Sequence, residues 1–238
     1  MKGIYCILIL IFTCGKQKYF QHDFNFLTIM TDSTDKNYSF LCLGDSYTIG
    51  EGVFFLENFP NQMVQLARKS GYKFLAPEIV AKTGWTTYEL QAALKNNQLL
   101  SSYDFVTLLI GVNNQYRNHS INEYEPEFEL LLQDAITYAG GNTNHVIVLS
   151  IPDWGVTPFA IERDSEKIAL EIDSYNKANM AISEKNKVHY IDITESTRES
   201  VNNPFLLAPD GLHPSAKEYA RWAEKVFSVI KIDLSKKI

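Results

Sequence analysis

The chain has 238 residues, 45 % of them apolar and 21 % charged, the size and balance of one globular domain and not of a disordered or fibrous chain. Its 22 Lys and Arg against 28 Asp and Glu give a net charge of −6, so it lacks the basic footprint of a nucleic-acid binder. Three cysteines, Cys6, Cys14 and Cys42, are too few for a disulfide framework in a chain of this length.

Met1 and Lys2 precede an uncharged run from Ile4 to Thr13, followed at once by Cys14-Gly-Lys-Gln-Lys. That is the layout of an export signal, and the run is too short to cross a bilayer, which takes about 20 apolar residues in a helix. The Cys at its end resembles a bacterial lipoprotein leader, although Ile11 and Thr13 stand where such leaders prefer Leu and a small residue. The resemblance implies an exported protein, periplasmic or attached to a membrane through lipidated Cys14. A start at Met30, just before the first strand, would give a cytoplasmic protein instead. The expected organisation is a leader over residues 1–14, a polar tether over 15–38 and one folded domain over 39–238.

From Ser39 onward, short β-rich apolar runs alternate with longer amphipathic ones. The strands expected are Phe40–Leu43, Phe74–Val80, Phe105–Ile110, Val146–Ile151 and Val188–Ile191, most of them near-continuous apolar runs, as strands buried on both faces should be. Helices are expected near 58–70, 86–97, 122–138 and 163–185, with a last one from Ser215 to Ile230. There Tyr219, Trp222, Ala223, Val226, Phe227 and Ile230 form a wide stripe at spacings of three and four. Five strand-then-helix units define an α/β fold with a central five-stranded parallel sheet and helices on both faces. Ligands of such folds sit beyond the carboxyl ends of the strands.

Four loops at those ends carry the chemistry. After the first strand, Gly44-Asp45-Ser46-Tyr47-Thr48-Ile49-Gly50 sets a Ser where a buried strand breaks into a turn, a position suited to a nucleophile. Gly, Asp and Ser are also ordinary turn residues, so this motif says little alone. After the second strand, Lys82-Thr83-Gly84-Trp85 supplies a Gly whose backbone can approach a ligand closely. After the third, Gly111-Val112-Asn113-Asn114 offers side-chain amides able to donate to an oxyanion. Before the last helix, Asp210 and His213 stand three apart in Pro209-Asp-Gly-Leu-His-Pro, close enough for the carboxylate to accept the imidazole Nδ1–H and hold its tautomer.

A Ser, a backbone N–H, an amide donor and an Asp/His pair together make a complete acyl-transfer set. The blocks GDSYT, Gly84, GVNN and DGLHP, in this order over residues 40–215, closely resemble the SGNH family of serine hydrolases, also called GDSL esterases and lipases. Tyr47 stands where Leu is the namesake, and Asn114 where the family usually carries Asp. The resemblance implies a three-layer α/β/α, flavodoxin-like fold and ester hydrolysis through an acyl-enzyme. Ser46, Asp210 and His213 would be catalytic, with the Ser46 and Gly84 backbone N–H groups and the Asn113 amide as oxyanion hole, and no cofactor or metal. The substrate would be a small-molecule or glycan ester, either a short-chain ester or an acetylated carbohydrate, with a lysophospholipid or thioester as the alternative. Reading Thr48, Gly50 and Gly52 as a flavin-phosphate loop leaves Asn113 and the Asp210/His213 pair without a role. Trp154, in the loop after the fourth strand, is either a wall of the substrate pocket or a cover for the core, and Tyr116 and Arg117 share that ambiguity. His119, His145 and His189 are expected to be structural.

Overall fold

Residues 36–235 are described by the computed structural model; the expected leader, the alternative start at Met30 and all but the last residues of the expected tether lie outside them. The five strands are β1 (Phe40–Gly44), β2 (Glu78–Ala81), β3 (Phe105–Leu109), β4 (Val146–Leu149) and β5 (His189–Ile191). They pair in parallel in the order β2-β1-β3-β4-β5, the doubly wound order of flavodoxin-like folds. Every residue of β1, β3 and β4 is buried, whereas the edge strands β2 and β5 are only partly so. Covering on both faces is why the central strands read as unbroken apolar runs.

Eight α-helices connect and cover them: α1 (Ser46–Ile49), α2 (Phe59–Lys69), α3 (Thr87–Asn96), α4 (Val112–Tyr116), α5 (Ile121–Tyr138), α6 (Ser165–Lys185), α7 (Thr194–Arg198) and α8 (Ala216–Ser235). α2 packs on α8, while α3 packs on α5 and α5 on α6, which gives the two helical layers of an α/β/α sandwich. Five residues of the stripe on α8, Tyr219, Trp222, Ala223, Val226 and Ile230, are inaccessible, while Phe227 is only partly buried at its edge, against Tyr72. Each such large side chain taken out of water contributes about 1.5–3 kcal/mol.

Where boundaries differ from expectation, backbone hydrogen bonding explains why. β2 starts only at Glu78 because Pro77 has no N–H to give the ladder; Phe74 pairs separately, with the buried Tyr38. β4 stops at Leu149 because the amide of Ile151 bonds Asn176 Oδ1 at 2.7 Å instead of a strand, and Pro152 follows. α8 runs five residues past Ile230, holding Leu234 in the core and pairing Asp233 with His145 at 3.1 Å. The helices α1, α4 and α7 were not expected, since four or five residues are too few to show a helical period.

Candidate active site

The strand order reverses between β2-β1 and β3-β4-β5, so the crevice above the carboxyl ends of β1 and β3 is where this topology leaves room for a ligand. β1 delivers Gly44-Asp45-Ser46 to that crevice and β3 delivers Gly111 to Asn113. Asp45 caps α1, accepting the Tyr47 N–H at 3.0 Å, which leaves Ser46 as the first helical residue. A Cβ at Gly44 would lie 2.1 Å from Thr48 Oγ1 and 2.5 Å from the Leu109 carbonyl, so only Gly lets the chain turn this tightly. Gly50 and Gly52, both at positive φ, are likewise explained by packing: a Cβ on the second would meet Ala208 and the Asp210 carboxylate within 3 Å.

The Asp210/His213 pair is built by its own turn. One carboxylate oxygen of Asp210 accepts the backbone N–H groups of Leu212 and His213, each at 2.9 Å, and the other lies 2.7 Å from His213 Nδ1. Burial would raise the Asp210 carboxyl, but the imidazole and those two amides outweigh it and hold it below the usual carboxylate range. With Nδ1 on the carboxylate, Nε2 is the nitrogen left for a second partner. The ring, 6 % exposed for the whole residue, rests on Tyr47 with centroids 5.1 Å apart. Tyr47 therefore replaces the namesake Leu with a platform for the imidazole.

Gly84 reaches the crevice from β2 at φ +83°, a conformation that disfavours a side chain. Its carbonyl accepts from Arg117 Nη2 at 2.6 Å, and the next carbonyl, of Trp85, accepts from Asn113 Nδ2 at 2.9 Å. Arg117 also bonds Glu89, whose carboxylate completes the cap of α3 through Thr86. The Gly84 peptide is thus pinned from both sides. Among the described residues neither the Ser46 nor the Gly84 N–H donates to a backbone acceptor. Asn114 faces away: it is fully buried and grips Thr87 with both ends of its amide, at 3.0 and 2.7 Å.

Ser46, Gly84, Asn113 and His213 all line one half-open cavity of about 170 Å³, whose other walls are Val112, Tyr116, Trp154, Phe159 and Leu212. Asp210 stands behind His213. All five expected site residues are therefore brought to one place. Trp154 lines this cavity and also belongs to the buried hydrophobic core, so the structure combines its two readings, and Tyr116 stands beside it. Arg117 braces Gly84, a role that depends on a partner 33 residues away and leaves no local signal.

Asp45 is fully buried, which pushes its carboxyl up to about 7 against the opposing Tyr47 hydrogen bond. The folded value thus exceeds the unfolded one of about 3.9. Its stabilising contribution is then full below about pH 4 and is lost as pH rises toward 7, because the unfolded chain ionises first. Asp45→Asn, which keeps the cap oxygen, should raise the melting temperature relative to the parent more at pH 8 than at pH 4.5. A difference that does not change with pH in thermal melts would refute this.

A Ser at the switch point of a doubly wound α/β sheet lines the same cavity as a carboxylate-bound His, a combination of groups suited to ester cleavage. The profile of the GDSL-like Lipase/Acylhydrolase family matches residues 42–221, and the chain belongs to that family; it is a carboxylic ester hydrolase. The acetylxylan esterase of Geobacillus stearothermophilus is 24 % identical over 155 residues, covering 60 % of this chain and 68 % of that protein. Among solved structures, TesA superposes with TM-score 0.65 at 17 % identity over 81 % of this chain and 98 % of its own. Axe2, an acetylxylan esterase from Geobacillus stearothermophilus, gives 0.64 at 18 % over 81 % and 94 %. Esterase EstA from Pseudoalteromonas sp., solved inhibited by monoethylphosphonate, gives 0.59 at 16 % over 84 % and 100 %.

Proposed function

We propose that the chain is a serine esterase acting through an acyl-enzyme, with Ser46 as nucleophile, His213 as general base and then acid, and Asp210 orienting the imidazole. The observation that carries this reading is the 2.7 Å contact of Asp210 with His213 Nδ1, on a ring that lines the same cavity as Ser46. As Ser46 Oγ attacks the ester carbonyl, its proton passes to His213 Nε2, and the imidazolium that forms is stabilised by Asp210. The negative charge on the carbonyl oxygen is met by the N–H groups of Ser46 and Gly84 and by the Asn113 amide. Collapse expels the alcohol, protonated by His213. Water activated by the same imidazole then cleaves the acyl-enzyme.

For substrate we infer a short-chain ester, with an acetylated carbohydrate as the natural form. A cavity of about 170 Å³ is well below the roughly 300–1,000 Å³ of pockets that enclose drug-sized ligands, and the curated relative matched is an acetylxylan esterase. The second reading, a lipid ester such as a lysophospholipid, draws on the strongly exposed Phe54, Phe55 and Phe205, apolar surface that a lipid aggregate could cover. A panel of p-nitrophenyl esters from acetate to palmitate, run beside acetylated xylan and a lysophospholipid, separates them. The expected result is highest kcat/KM on acetate and release of acetate from xylan. Preference for chains of eight carbons or more would favour the lipid reading.

A further inference from the structure

Trp154 separates two unlike spaces. On one side is the mostly apolar cavity that holds Ser46; on the other is a depression of about 210 Å³ lined by polar groups including Asn118, Arg163, Lys167 and Glu171. Tyr116 and Trp154 are the two residues common to both linings. Only 5 % of Trp154 is exposed, so the indole is a wall between the spaces and not a flap over either.

The wall is fixed at every point where it could move. Its Nε1–H donates to Gln115 Oε1 at 2.7 Å, and Gln115 Nε2 in turn donates to Glu171 Oε2 at 2.7 Å. Gln115 is itself buried, so its amide cannot rotate to take other partners without leaving a polar group unpaired. Tyr116 and Phe159 meet the indole edge-on, at centroid distances of 5.3 and 6.0 Å. The backbone is held as firmly: Asp153 accepts from the Gly155 N–H and from Arg198 Nε, each at 2.9 Å, and a Cβ at Gly155 would lie 2.8 Å from Ile168. A buried Trp whose single polar atom is satisfied by a buried Gln, itself anchored to a helix, can change rotamer only by breaking that hydrogen bond.

We propose that Trp154, latched by Gln115, is the stop that limits the acyl group of the ester, with Gln115 a positioning residue acting through the indole. This rests on the Ser46 esterase reading and specifies one half of the substrate. An acyl chain that runs toward Trp154, one of the cavity's walls, is stopped there, and the space beyond offers polar and charged groups instead of an apolar continuation. Removing the indole joins the two spaces and gives longer chains somewhere to go. Because one methylene in an apolar pocket typically changes kcat/KM by about 10-fold or more, the effect is read in chain-length preference.

The test measures kcat/KM on p-nitrophenyl acetate and hexanoate for the parent, Trp154→Ala, Gln115→Met and the double variant. A ratio of two rate constants on one preparation does not depend on the fraction folded. The hexanoate-to-acetate ratio should be low in the parent, rise about tenfold or more in Trp154→Ala, and rise less in Gln115→Met. The double variant should match Trp154→Ala, since the latch has nothing left to hold. Trp154→Phe, which keeps the core filled, should move the ratio in the same direction by less. A Trp154→Ala ratio within about twofold of the parent, with Ser46-dependent acetate hydrolysis intact, overturns the stop and leaves the esterase reading standing. Acetate hydrolysis that persists in Ser46→Ala overturns the esterase reading, and the stop with it.

Discussion

Ser46→Ala should lower kcat on p-nitrophenyl acetate by about 10⁶-fold, the loss typical of removing the nucleophile from a Ser-His-Asp set. Without the hydroxyl no acyl-enzyme forms, and what survives is the transition-state stabilisation from the oxyanion donors acting on a bound water. The same preparation should fail to react with a fluorophosphonate probe that labels the parent at one serine. His213→Ala should be nearly as damaging, and the double variant little worse than either single one, because the two groups act as a unit. Asn113→Ala should sit far above them, losing about 10²–10³ as one donor of several is removed; Gly84 and its peptide remain pinned by Arg117. This gradient separates nucleophilic catalysis from a looser role for Ser46. If Ser46→Ala retained most of its acetate hydrolysis, the assignment of the nucleophile would be wrong.

The parts of this site that could be read from the sequence are those whose chemistry is local. Gly44-Asp45-Ser46 and Asp210-Gly-Leu-His213 each complete a turn within a few residues, and the side chain proposed for the chemistry belongs to the same turn as the backbone that aims it. β1, β3 and β4 were legible for a similar reason: burial on both faces writes one long apolar run. What escaped was long-range. Arg117 braces Gly84 across 33 positions, and Gln115 joins Trp154 and Glu171 across 39 and 56. A lone Gln on a five-residue helix, or a lone Arg just past its end, carries no periodic or motif signal, and only the order of strands in the sheet brings its partners within reach. Tyr47 is an intermediate case. Its departure from the namesake Leu is visible in the sequence, but that its ring packs against both the His213 imidazole and Trp222 is not.

Asp210→Asn should cost about 10⁴-fold in kcat, the scale known for the same change in serine proteases, while leaving the fold in place. Asn can still use its oxygen to accept the Leu212 and His213 amides that now bond Asp210 at 2.9 Å. Its NH₂ then faces Nδ1 of the ring. Two donors cannot share that contact, so the imidazole must carry its proton on Nε2, the nitrogen that has to be free to receive the Ser46 proton. Nitrogen NMR of the ring should show the proton moved from Nδ1 in the parent to Nε2 in the variant, a change that simple loosening of the loop would not produce. The charge matters for stability in a defined window. The carboxyl of Asp210 is held below its usual range in the fold, so its contribution is present above the unfolded value of about 3.9 and fades as pH falls through the lower folded one. The gap in melting temperature between parent and Asp210→Asn should therefore be steady at neutral pH and close in strong acid. Activity within tenfold of the parent, with the ring proton still on Nδ1, would mean that the carboxylate merely shapes the turn and that His213 is oriented by Tyr47 alone.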